Sequence, residues 1–312
     1  MNTSLLTTIN QLFITLDQKY GADALGADTL IALIETLDEY TGDTSSESLQ
    51  QGLCEIYTTV LSCKPRMASI ILDLQLLLVD TLKNPEFTAQ NLRHRLLELL
   101  AIKRTRRQES VQHALTIISG SEKVLLHSYS STINTLLKTL NKQGSKPEIL
   151  LAAQERAKTD RMIQLLEKLG YAYRVVSEYA IAHILQDVDC ALFGGLSLTN
   201  KMEVVMGPGS ASLLSQLHAH QIKSYVLLTT NKFSLWDDSY EITFHEKREK
   251  EAHGVQYLHE TFSHDVLSLS LIEGLITENG VLTQEESLAA FSALKKEFAE
   301  REKAIASLQM LA

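Results

Sequence analysis

The stretch VDCALFGGLSLTNKMEVVMGPGSA, residues 188–211, decides the fold. It opens as a short apolar run, passes through Gly194-Gly195 and crosses a polar turn. It ends in Gly207-Pro208-Gly209-Ser210, ahead of the helical pattern Leu213, Leu214, Leu217. Glycines bracketing a proline before such a pattern place backbone N–H groups at a helix N-terminus, a geometry that receives a phosphate or a carboxylate. An ordinary loop and helix cap use the same residues. The neighbouring sequence has to choose between the two.

On both sides of this stretch, strand and helix patterns alternate. Lys123–His127, Glu148–Ala152, Tyr171–Val176, Asp189–Phe193 and Ser224–Thr229 are short apolar runs. Helical spacing fills 131–141, 160–169, 179–185 and 210–220 between them. Alternation of this kind means βαβ units and a parallel sheet covered on both faces. Residues 1–118 read differently, as helix throughout. Leu5, Leu6, Ile9, Leu12, Phe13 and Leu16 recur at helical spacing, as do Leu30, Leu33, Ile34 and Leu37. A third helix carries Leu49, Leu53, Ile56 and Val60, and Pro65 starts a fourth, apolar on most sides, that ends at Asn84-Pro85. Thr88 caps a fifth that includes Lys103-Arg104-Thr105-Arg106-Arg107, read as a solvated helix face. The expected class is therefore α/β. An all-helical domain over 1–119 precedes a Rossmann-like domain with a parallel sheet over 120–312.

Composition narrows the function. A net charge of −9 argues against a general nucleic-acid surface. Three cysteines, Cys54, Cys63 and Cys190, lack metal spacing and point to a reducing compartment without disulfides. The start MNTSLLTTINQLF lacks a signal-peptide pattern, and no apolar run suits a membrane span. The expectation is a cytoplasmic protein without metal or cofactor, with no membrane and no direct nucleic-acid contact.

Ligands of parallel sheets sit beyond the carboxyl ends of the strands. After the first strand come Ser128, Tyr129, Ser130, Ser131 and Thr132, hydroxyls that suit either a helix cap or an anion cradle. Arg156 follows the second strand and can fork onto a phosphate, although a surface charge has the same appearance. Gly194 and Gly195 follow the fourth, Gly209 and Ser210 start the next helix, and Asn231-Lys232-Phe233 follows the fifth strand. Ser128, Ser130, Ser131, Thr132, Arg156, Gly194, Gly195, Gly209, Ser210 and Lys232 form the expected phosphate site. His127 and Ser128 are neighbours on a strand and point to opposite faces, so they do not make a nucleophile–base pair. Asp189 precedes its strand and belongs at the opposite end of the sheet. Acid–base groups are scarce among these residues.

Several motifs in order resemble one family: LLHSYSSTI (125–133), Arg156, VDCALFGG (188–195), Gly209-Ser210, Asn231-Lys232-Phe233, Asp265-Val266 and ITENGVL (276–282). Lys64-Pro65 heads the helix before them. The family joins the alpha, beta and delta regulatory subunits of translation initiation factor 2B with ribose-1,5-bisphosphate and methylthioribose-1-phosphate isomerases. The resemblance implies a helical domain, a Rossmann-like domain and a loop site for a sugar phosphate or nucleoside monophosphate. It also implies homodimers, and partners that are paralogous 2B-type subunits or initiation factor 2. The isomerases use a cysteine after the first strand and an aspartate after the fourth. Those positions here look like Ser128 and Leu196, and the family's asparagine-lysine pair is replaced by Met206-Gly207. Leucine moves no proton, and a serine hydroxyl is a far weaker acid than a thiol. Besides a ligand sensor or mimic of the initiation-factor subunit, which no residue singles out, two readings compete. One is a non-catalytic 2B-like subunit; the other is a sugar-phosphate enzyme working through Ser128, Tyr129, His127 or Lys201.

Overall fold

The computed structural model describes Leu12 and residues 22–63, 66–127, 129–153, 156–236 and 245–309. Lys64-Pro65, Ser128 and the first apolar pattern, Leu12 excepted, lie outside the described residues. By internal contact the chain forms two compact units. One holds 1–108, 229–236 and 288–312; the other holds 109–228 and 237–287. The sequence reading places a single boundary at 119, whereas the chain passes between these units four times.

Four helices open the described chain: α1 (Ala22–Glu39), α2 (Ser46–Ser62), α3 (Ala68–Lys83) and α4 (Ala89–Ile118). Ser45 caps α2 by accepting the Ser48 N–H at 3.3 Å. Thr88 and Asn91 cap α4 reciprocally: Thr88 Oγ1 accepts the Asn91 N–H at 3.2 Å, and Asn91 Oδ1 accepts the Thr88 N–H at 3.0 Å.

Helix α3 is buried along most of its length, as its composition predicts, and it therefore buries Asp73 and Gln75 as well. Polar groups in such a place need partners. Lys103 supplies one, with Nζ 2.6 Å from Asp73 Oδ2. The run 103–107 is thus not a uniformly solvated face. Arg104 is exposed, Arg106 and Arg107 are half-buried, and Lys103 is only 4% exposed. The acid inside α3 requires a counter-charge, and that requirement pulls Lys103 inward.

The second unit begins within α4 and continues through β1 (Lys123–His127), α5 (Ser131–Lys142), β2 (Glu148–Ala153), α6 (Arg156–Leu169) and β3 (Tyr173–Ser177). The segment expected as a helix over 179–185 is 3-10 turn instead, Glu178–His183 and Leu185–Asp187. Then come β4 (Cys190–Gly194), β5 (Ser197–Leu198), β6 (Glu203–Met206), α7 (Ser210–Ala219) and β7 (Ser224–Leu227). The chain goes on through β8 (His245–Ala252), β9 (Val255–Phe262), β10 (Asp265–Ser268), β11 (Gly274–Thr277), β12 (Gly280–Leu282) and α8 (Gln284–Gln309).

The main sheet runs β12-β11-β7-β4-β1-β2-β3. Pairing is parallel from β11 to β3, and only the edge strand β12 is antiparallel. Val124, Leu126, Ile149, Leu151, Cys190 and Leu192 share one core with Ile133, Leu136 and Leu137 of α5. Continuous apolar runs in central strands are the signature of a sheet covered on both faces. Asp189 Oδ2 accepts the N–H groups of Glu122 and Lys123 at 2.8 and 2.9 Å, which puts it at the amino end of β1, as expected.

From β1 the chain builds outward to β2 and β3, then returns to lay β4 on the other side of β1. The sequence thus reverses direction across the sheet between β1 and β4, the place at which sheets of this type receive ligands beyond the carboxyl ends of their strands. Two smaller sheets were not foreseen: antiparallel β10-β6-β5, and the β8–β9 hairpin.

His264, just before β10, carries a pH signature. Burial, reinforced by the Lys158 ammonium, pushes its pKa from the usual 6.5 down to about 4. The folded state therefore holds the imidazole neutral while the unfolded chain protonates it below about pH 6.5. Stability is expected to be complete above that pH and to fall by about 2–3 kcal/mol as pH drops to about 4. Urea unfolding at pH 7.0 and 4.5 should show this slope in the natural chain and a shallower one in His264→Asn.

Candidate functional site

The site is assembled at the crevice between β1 and β4. His127 ends β1, is 1% exposed, and rests its ring 5.6 Å from that of Phe193 in β4. Its Nδ1 lies 3.3 Å from Ser210 Oγ, at the first turn of α7. On the other side of the ring, Nε2 is buried without a hydrogen-bond partner and stands 3.7 Å from Glu178 Oε2.

Helix α7 starts as the glycine turn requires. Gly209 is its N-cap and has φ of +89°, a left-handed conformation that strains any residue with a Cβ. The Glu178 carboxylate fills the space beside it. A Cβ on Gly209 would lie 1.9 Å from Glu178 Oε1. A second carboxylate makes the capping bond: Asp265 Oδ2, from the first residue of β10, accepts the Ala211 N–H at 2.8 Å. The helix start that the sequence offers to an anion is thus lined by two carboxylates of the chain itself.

The loops after β1 and β4 touch. A Cβ on Gly194 would fall 2.6 Å from both Cβ and Oγ of Ser130, so the serine lies flat against the glycine. Ser130 is the N-cap of α5, yet its side chain makes no capping bond. Its hydroxyl is therefore not explained by capping. Ser131 is half-buried and Thr132 buried in the same first turn. Gly195 passes close under β7, where a Cβ would meet Val226 Cγ1 at 2.9 Å.

Among the expected residues, Ser130, Gly194, Gly209 and Ser210 all take part in these contacts around the crevice. Arg156 does not. It opens α6 with its side chain 95% exposed, next to Asp160 at 3.7 Å. Lys232 lies in the other unit, buried in the 3-10 turn Thr230–Lys232. Ser128 lies outside the described residues. Lys201 is exposed at the β5–β6 turn.

Two functional groups escaped the sequence reading, Glu178 and the role of Asp265. Their signal was weak, because Glu178 sits in a turn after β3 and only the tertiary fold carries it to α7. The order Ser210–His127–Glu178 has the residue types of a nucleophile, a base and an orienting carboxylate. Ser210 is fully buried and the Glu178 contact exceeds hydrogen-bond length, so the three side chains do not form a hydrogen-bonded triad. Among the described residues, no group of three or more His, Cys, Asp or Glu is placed to hold a metal ion, and no helix is long and apolar enough to cross a membrane.

Against known families, the model for the initiation factor 2 subunit family matches residues 18–284. The chain belongs to this family. A Pyrococcus furiosus protein named for its likeness to subunit 2 of translation initiation factor eIF-2B is 24% identical over 260 residues, covering 82% of this chain and 88% of that protein. Among solved structures, the Pyrococcus horikoshii OT3 translation initiation factor eIF-2B superposes with a TM-score of 0.73 at 20% identity, covering 89% of this chain and 98% of that one. The 5-methylthioribose 1-phosphate isomerase of the same organism reaches 0.70 at 14% identity, covering 89% and 86%. A chain of the tetrameric eIF2B-beta2-delta2 complex from C. thermophilum reaches 0.69 at 15%, covering 93% and 95%. Initiation-factor subunits and an isomerase therefore share this family member's fold.

Proposed function

We propose that this chain is a non-catalytic subunit of the initiation factor 2B type. It works in the cytoplasm by assembling with a second copy of itself, with paralogous 2B-type subunits and with initiation factor 2. The observation that carries this reading is Leu196. It occupies the place where the resemblance to the isomerases calls for an aspartate, and its backbone N–H is tied to Val205 O at 2.9 Å. No side chain there can exchange a proton. Met206-Gly207 removes the expected lysine as well. The C. thermophilum tetramer of beta and delta subunits supports paralogous pairing as the mode of action.

The ligand class that suits the crevice is a sugar phosphate or nucleoside monophosphate, met by Ser130, Ser131, Thr132 and the α7 start. Native mass spectrometry is expected to show a homodimer. Incubation with ribose 1,5-bisphosphate or 5-methylthioribose 1-phosphate is expected to give no isomerised product. Turnover abolished by Ser128→Ala would replace this reading with that of a sugar-phosphate isomerase.

A further inference from the structure

We propose that Glu178 is a tethered anion that occupies the phosphate seat of this chain and sets its affinity for phosphorylated ligands. This rests on the crevice being the ligand site, as proposed above. A helix start attracts one anion through its exposed amides and the aligned peptide dipoles. At α7 the Glu178 carboxylate stands beside that place, against the N-cap glycine. The Glu178 carboxylate lies against Gly209, at a distance that no side chain on that residue would tolerate. Of the first-turn amides, that of Ala211 is held by Asp265, and that of Ser210 points to Gly207 O at 3.3 Å.

His127 supplies the independent sign that a ligand belongs here. A histidine 1% exposed, held through Nδ1 by Ser210, leaves Nε2 buried, unbonded and turned toward the Glu178 carboxylate at 3.7 Å. Native proteins rarely leave a buried ring nitrogen unpaired. A phosphate that displaces Glu178 can bring an oxygen closer to Nε2 than the 3.7 Å at which the carboxylate stands, while facing the helix start. The contact with Glu178 is too long to be the bond this nitrogen wants, yet close enough to block another group from making it.

Like charges exclude one another from such a seat. A phosphate dianion has to displace Glu178 before it binds, and the ligand's apparent affinity falls by the population of the open state. Charge is the decisive part, because Glu178→Gln keeps the shape of the plug and removes the repulsion. Glu178→Ala removes both.

The test uses the full-length chain in three forms: natural, Glu178→Gln and Glu178→Ala. Inorganic phosphate and ribose 5-phosphate are titrated by calorimetry at pH 7.5, with circular dichroism to show that each variant is folded. Binding at least about tenfold tighter in both variants than in the natural chain is the expected result, since tenfold corresponds to displacing one modest competing contact. Equal affinity in all three forms would overturn the proposal while leaving the crevice a phosphate site. No binding in any form would overturn it too, and would remove the phosphate ligand from the proposed function. Assembly with partners, measured separately by native mass spectrometry, would stand in either case.

Discussion

Lys103→Met is expected to lower the stability of the unit that contains it by about 3–5 kcal/mol. Asp73 sits on a helix whose faces are nearly all buried, and Lys103 Nζ approaches it to 2.6 Å. Helix α1 is close by, since a Cβ on Gly26 would lie 3.2 Å from that same Nζ. A methionine fills the volume of the lysine stem but removes the counter-charge from a buried carboxylate, and the loss of that ion pair dominates the cost. Removing both charges tells a different story. In Asp73→Leu combined with Lys103→Met, a hydrophobic pair replaces the ion pair, and most of the loss is expected to return. Denaturant unfolding of the two single variants and the double variant measures this directly. A lysine variant as stable as the natural chain would show that the pair contributes nothing.

Phe193→Ala should cost the second unit a similar amount, about 3–5 kcal/mol. Phe193 is 1% exposed on β4, and its neighbours on that strand, Ala191 and Leu192, are wholly buried. The void left behind cannot collapse easily, because β4 is hydrogen-bonded between β1 and β7. A second consequence falls on the site. The ring supports His127, so its loss frees the imidazole from one wall of its enclosure. Histidine NMR shifts should move in Phe193→Ala and remain unchanged at His127 in a core variant of the other unit, such as Leu77→Met. Unfolding curves give the stability, and the NMR comparison separates general loosening from the specific effect on His127.

Much of the sheet was legible because its strands announce themselves. Runs such as Val124-Leu125-Leu126 and Ile149-Leu150-Leu151, bounded by turn residues, leave few alternatives to a buried parallel strand. The β8–β9 hairpin was not legible for the opposite reason. Residues 245–252 read HEKREKEA, with no apolar alternation to mark a strand. Cross-strand pairs hold it instead, among them Lys247 and Glu260 at 3.0 Å. At the crevice, residue type was readable and direction was not. Arg156 has the right chemistry for phosphate, but the first turn of α6 points it into solvent. Lys103 sat in a run of cations that gave no hint of an acid buried some thirty residues earlier. Glu178 is the sharpest case, because its role exists only once the turn after β3 meets α7.

The division of the chain has a bearing on how this protein is made. The first unit is not complete in its first 108 residues. It needs Phe233 stacked on Phe291, and it needs the last helix, where Glu302 accepts from Tyr57 and from Gln75. Gln75 Oε1 in turn accepts from Arg301 at 2.7 Å. A ribosome synthesising this chain releases α1 to α4 long before those residues emerge, and the earliest helices must wait with their inner faces unsatisfied. The second unit can gather its strands in the meantime. Of the two units, the one whose helices emerge earlier is thus the one completed by the later residues.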